Sequence, residues 1–151
     1  MTEATNQSSF ESYSIDRIAH DLVLNHGIPS GAHPQVYKMR MTVAYGLERF
    51  WGEQHRFKAK EADKAEYWRQ TWNELAKILE KAGISLPNDT TNTENADSVR
   101  SMAEKLWDGE TFPPEQRKVA LAILTQLCDS MVWWTQRYKK FAKEGDENNG
   151  N

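Results

Sequence analysis

PEQRKVALAILTQLCDSMVWWTQRYKKFAK, Pro114 to Lys143, contains no glycine, and its single proline stands first. Its apolar residues Val119, Ala120, Ile123, Leu124, Leu127, Cys128, Met131, Trp134 and Tyr138 recur at spacings of three and four. That is the period of an α-helix with one buried face. Phe112-Pro113-Pro114 predicts the start, because proline is tolerated only in a helix's first turn. Gly145 predicts the stop. A helix over 114–143 would be about 45 Å long, more than a compact domain of this size needs. Its last turns also change character. Trp133, Trp134, Arg137, Tyr138, Lys139, Lys140 and Phe141 put aromatics and cations together at one end. The rest of the chain must supply partners for this helix, and the question of function turns on its basic, aromatic end.

Working outward, Tyr67, Trp68, Trp72, Leu75, Ala76, Ile78 and Leu79 predict a second strong stripe, closed by Gly83. Upstream, Val36, Met39, Val43, Leu47, Phe50 and Phe57 predict one helix from Gln35 to about Lys60. Gly46 and Gly52 weaken it by about 1 kcal/mol each relative to alanine and are expected where a neighbour approaches closely. The run KAKEADKAE, Lys58 to Glu66, has no apolar face, and a break is expected near Ala62-Asp63. A first helix is expected from Ile15 to about His26, capped by Ser14 and stopped by Gly27. A short helix is expected over Val99 to Trp107, capped by Asp97 or Ser98. Ile84 to Asp97, rich in asparagine and threonine, reads as the clearest loop. No segment alternates at period two between hairpin signals, so no sheet is expected. The expected architecture is all-α: a single bundle of about five helices over 14–143, with a long C-terminal helix. Residues 1–13 are expected to be flexible and 144–151 disordered.

The 151 residues bound one domain, large enough for a true core. Only 38% are hydrophobic, so six tryptophans must supply much of the core's bulk. The single cysteine excludes an intrachain disulfide, and no signal peptide or membrane-spanning run is visible. A cytoplasmic protein that avoids membranes is the expectation. The net charge is −3, but it is unevenly spread. Between Pro34 and Lys60, six cations (Lys38, Arg40, Arg49, Arg56, Lys58, Lys60) oppose two anions (Glu48, Glu53), a local charge of +4. Between Pro114 and Lys143, six cations again oppose two anions, another +4. Two basic helices on an acidic chain could form one positive face. They could equally be the solvated sides of amphipathic helices.

The residues argue for no enzyme. His20 and His26 are six apart, and HExxH and CxxC are absent, so neither a metal nor any other cofactor is expected. Cys128 sits among apolar residues and is expected to be inert. Nucleic-acid contact is the chemistry that remains. Arg137, Lys139 and Lys140 can neutralise phosphates, and Trp133, which lies off the apolar stripe, can stack on a base. With Lys38, Arg40, Arg49, Arg56, Lys58 and Lys60 they make up the candidate strand contacts. The competing class is a protein–protein adaptor or homo-oligomer anchored by Trp51, Trp107 and Trp133.

The stretch Leu124 to Lys143, LTQLCDSMVWWTQRYKKFAK, resembles the closing helix of small subunits from CRISPR RNA-guided effector complexes of types I and III. The resemblance covers about a fifth of the chain and lies in a pattern rather than an invariant motif. It implies a small all-α, non-catalytic subunit of a ribonucleoprotein assembly. Such a subunit packs against the backbone subunits and holds a target or displaced strand, RNA or single-stranded DNA, by phosphate contacts. The net charge of −3 departs from tight independent binding and fits a subunit that works within an assembly.

Overall fold

A computed structural model describes residues 14–89 and 95–142. The expectations for residues 1–13, for 144–151 and for the middle of the asparagine-rich loop lie outside those residues. The fold is an all-α bundle, with no strand among the described residues. It has six helices. α1 covers 14–22 and runs on through a π turn, Val23–Gly27, and a last turn, Ile28–Ser30. Then come α2 (Gln35–Thr42), α3 (Leu47–Gly52), α4 (Ala62–Lys81), α5 (Ala96–Trp107) and α6 (Pro114–Tyr138). The sixth helix arises because the single helix expected over Gln35 to Lys60 is two helices.

That helix breaks twice, each time for a local reason. Val43–Tyr45 tightens into a 3-10 turn, and Gly46 follows at φ 102° and ψ 171°, a backbone region open essentially to glycine alone. Gly46 is therefore the corner between α2 and α3. The second break falls at Phe57 and Lys58, both extended, about five residues before the expected one. A straight helix through KAKEADKAE would have no apolar side to bury. Instead the chain turns so that Phe57 packs against the core, and α4 starts afresh with its own stripe. At the first helix, Gly27 is not the stop. It keeps helical angles, and Gly31 at φ 79° ends the segment.

α6 sits among α2, α4 and the π turn of α1. Ala120, Leu124, Leu127, Cys128, Met131 and Thr135 form its buried line, while Val119, placed on that line by its spacing, is exposed. The helix ends at Tyr138, short of Lys143, and closes in a 3-10 turn, Lys139–Phe141. Its 25 residues make it about 37 Å long. The aromatics do supply the core. Tyr67, Trp68 and Trp72 of α4 are almost fully buried, with Phe50 of α3 4.9 Å from Trp68 and 6.3 Å from Trp72 between ring centroids. Buried indoles need acceptors. Trp68 donates to Gln35 Oε1 at 2.9 Å and Trp72 to the Pro87 carbonyl at 3.1 Å. The second bond, with the burial of Ile84 and Leu86, pins the first part of the loop that composition alone leaves unstructured.

Gly83, at φ 80°, ends α4 as its position predicts. α5 starts three residues earlier than expected, and its cap is Asn95, whose side chain accepts from the Asp97 N–H at 3.0 Å. Arg117, in the first turns of α6, ties the corner together by reaching both Glu48 and the Leu106 carbonyl.

Candidate nucleic-acid interface

The C-terminal end of α6 is built as a flat aromatic–cation pair. Trp133 and Arg137 are four residues apart, so they lie one above the other on a helix surface. The Arg137 guanidinium carbon stands 3.8 Å from the centroid of the Trp133 ring. One Nη donates to the Trp133 carbonyl and to Gln136 Oε1, both at 3.3 Å. Trp133 keeps 49% of its surface exposed, so the ring is only partly covered. Lys139 and Lys140 are exposed immediately beyond. They belong to the closing 3-10 turn rather than to α6, so Lys140 does not continue the helical face of Trp133 and Arg137. Lys140 Nζ lies 5.1 Å from the ring centroid of Phe141, which is 65% exposed.

What holds this end in place was not apparent in the sequence. Trp134 donates its indole N–H to Asp16 of α1 at 3.0 Å, and the Tyr138 hydroxyl lies 2.8 Å from His20 Nε2. His20 Nδ1 is 3.0 Å from the Asp21 carboxylate. A carboxylate can only accept, so in the neutral ring Nδ1–H donates to Asp21 and Nε2 accepts from Tyr138. His20 also packs edge-on against Trp134, with ring centroids 4.6 Å apart. Asp16 and His20 on α1 face Trp134 and Tyr138 on α6, and both pairs are spaced four apart. That shared spacing is the only trace of the clamp in the sequence.

The cations between residues 34 and 60 are not equivalent. Arg40 pairs with Asp129 across the α2–α6 contact. Arg56 pairs with Glu53 at 2.8 Å and lies over the Phe57 ring at 4.4 Å. Lys38 on α2, Arg49 on α3, and Lys58 and Lys60 before α4 are exposed, with no ion pair among the described residues. Glu61 tempers that last group. A hydrogen bond from Lys64, reinforced by the nearby charges of Lys60 and Arg56, holds its carboxyl below the usual carboxylate range. No hydrogen bond, ion pair or ring contact among the described residues joins this segment's Arg49, Arg56, Lys58 and Lys60 to Trp133, Arg137, Lys139 and Lys140. Arg40 reaches α6 already neutralised by Asp129.

Of the three tryptophans expected as interface anchors, Trp51 is 4% exposed and belongs to the core. Trp107 and Trp133 remain at the surface. Cys128 is buried and its thiol is pushed up by desolvation. No group of three or more His, Cys, Asp or Glu suited to a metal occurs among the described residues, and no described helix is long and apolar enough to cross a membrane. Comparison with protein-family models, curated proteins and solved structures found no match.

Proposed function

We propose that the protein is a non-catalytic nucleic-acid-contacting subunit, in which the end of α6 holds a single strand. The observation that carries this reading is the exposed Trp133 ring backed by Arg137, with Lys139 and Lys140 beside it. An aromatic face accepts any base by stacking, and cations next to it neutralise the flanking phosphates. The net charge of −3 fits a contact made within an assembly, where other subunits supply most of the affinity. In the finer form of the proposal, that assembly is a CRISPR RNA-guided effector ribonucleoprotein and this chain is its small subunit.

Titration of fluorescent single- and double-stranded RNA and DNA at several salt concentrations tests the proposal. Three phosphate contacts give a slope of log K against log salt of about −2 on a single strand. Stacking on Trp133 quenches indole emission, and that quenching disappears in Trp133→Phe/Arg137→Ala. Absence of binding at low salt, both alone and with candidate effector subunits, would sink the reading.

A second reading has its own support. Tyr37, Met41 and Tyr45 are spaced by four along α2 and the turn after it, and they are 39%, 72% and 74% exposed. Such a line of large apolar side chains suits a protein partner. If Met41→Ala/Tyr45→Ala abolishes assembly in a pull-down while Arg137→Ala/Lys140→Ala leaves it intact, the protein is an adaptor.

A further inference from the structure

The core takes Val36 and Met39 from α2 and Val43 from the turn after it, all buried. The solvent side of the same segment carries Tyr37 and Met41, and the 3-10 turn Val43–Tyr45 continues it with Tyr45. Residues four apart are neighbours on a helix surface, so the three side chains form one line. Met41 and Tyr45 are the two most exposed large apolar side chains among the described residues. The line stops where the chain turns at Gly46.

Its order is mirrored about Met41, with a tyrosine four residues before and a tyrosine four residues after. A two-fold axis through Met41 lays two copies of the segment antiparallel, and in such a contact each pairing occurs twice. Met41 then meets its own copy, and Tyr37 meets the partner's Tyr45. Stacked tyrosines bury their rings while their hydroxyls reach water at the rim. Charge fits the same symmetry. Lys38 is exposed, with no ion pair among the described residues, and falls opposite the partner's Ala44, an exposed residue whose side chain ends at Cβ. The lysine stem can lie over that methyl with its ammonium in water. Arg40 falls opposite the partner's Thr42, and its guanidinium is already held by Asp129. From Tyr37 to Tyr45, no cation opposes a cation across the axis.

We infer that this face of α2 binds a second copy of the chain, forming a two-fold dimer centred on Met41. The inference names the partner of the apolar line and rests on the reading of that line as a protein-binding surface. It is independent of strand contact by α6. A contact one short helix long lies at the small, transient end of specific interfaces, so the dimer dissociates on dilution.

The experiment is sedimentation velocity of the full chain over a concentration series. A monomer–dimer equilibrium is expected, with a dissociation constant on the order of 10–100 µM. Met41→Glu and Met41→Lys should each weaken dimerisation more than about tenfold, because the axis sets each new charge against its own copy. An equimolar mixture of the two variants should recover the dimer, since opposite charges then meet at the axis. The site is exposed, so both variants should melt as the wild type does. Arg137→Ala/Lys140→Ala should leave dimerisation unchanged. A wild type that stays monomeric at every concentration, a dimer indifferent to Met41→Glu, or a mixture that stays monomeric overturns the inference. The pull-down with Met41→Ala/Tyr45→Ala reads the adaptor proposal separately. A monomeric wild type that still captures a partner through this line overturns the self-association and leaves the adaptor reading standing.

Discussion

Gly27 shows how much one missing methyl can decide. It sits in a π turn with helical angles, where alanine would ordinarily gain about 1 kcal/mol of helix propensity. A Cβ there would lie 2.6 Å from the Tyr67 hydroxyl and 2.7 Å from its ring carbon. Gly27→Ala is therefore expected to destabilise by about 1–3 kcal/mol in urea denaturation. The Tyr67 hydroxyl is buried with no partner among the described residues, and burial raises its pKa. Tyr67→Phe should leave stability unchanged or raise it, and should recover part of the Gly27→Ala loss, because the oxygen is the nearest clashing atom. His55 also carries buried polar atoms without partners among the described residues. It packs 4.9 Å from Trp51, and desolvation lowers its pKa from 6.5. Below pH 6.5 the unfolded chain takes up a proton that the folded chain resists. Its contribution to stability is thus fully present above pH 6.5 and is lost as pH falls from there. The denaturation midpoint of the wild type should drop between pH 7.5 and 5.5 more than that of His55→Leu.

At the scale of elements, two glycines that look alike in sequence have opposite roles. Gly46 turns the chain between α2 and α3 at a positive φ, so Gly46→Ala should cost about 1–3 kcal/mol. Gly52 closes α3 with φ −67°, and a Cβ there meets nothing within 4 Å. Gly52→Ala should instead stabilise by up to about 1 kcal/mol. Equal effects from the two substitutions in parallel melts would contradict the broken-helix description. α6 depends on the same kind of detail. Its final turn is fixed by Asp16 and His20, and its charged end becomes a 3-10 turn once the apolar stripe runs out at Tyr138.

For the whole molecule, the arrangement of charge matters more than its total. Arg40 and Arg56 are neutralised within the fold, while Arg137, Lys139 and Lys140 carry no ion pair among the described residues. Under the proposed function, Arg137→Ala/Lys140→Ala should weaken strand binding and make the salt slope shallower by about 1.4. Folding stability should stay within about 0.5 kcal/mol, as is usual for surface substitutions. Arg40→Ala should do the reverse, with little effect on binding and a loss of up to about 1 kcal/mol of stability from the exposed pair with Asp129. Fluorescence anisotropy and thermal melts on the same samples check both.

The sequence by itself determined the all-α class, the stripes of α4 and α6, the proline start of α6 and the glycine that ends α4. Each of these follows from periodicity and backbone sterics acting over a few residues. Only the tertiary structure decided that Gly31 rather than Gly27 ends the first helical segment, that Gly46 and Phe57 divide one apolar pattern into separate elements, and that Trp51 is core while Trp133 is surface. It also decided which cations remain available. Arg40 looks as free as Lys38 until α2 is laid against α6 and Asp129 arrives from 89 residues away. The clamp between His20 and Tyr138 spans 118 residues. These features depend on long-range packing, which a helical period sets up but does not specify.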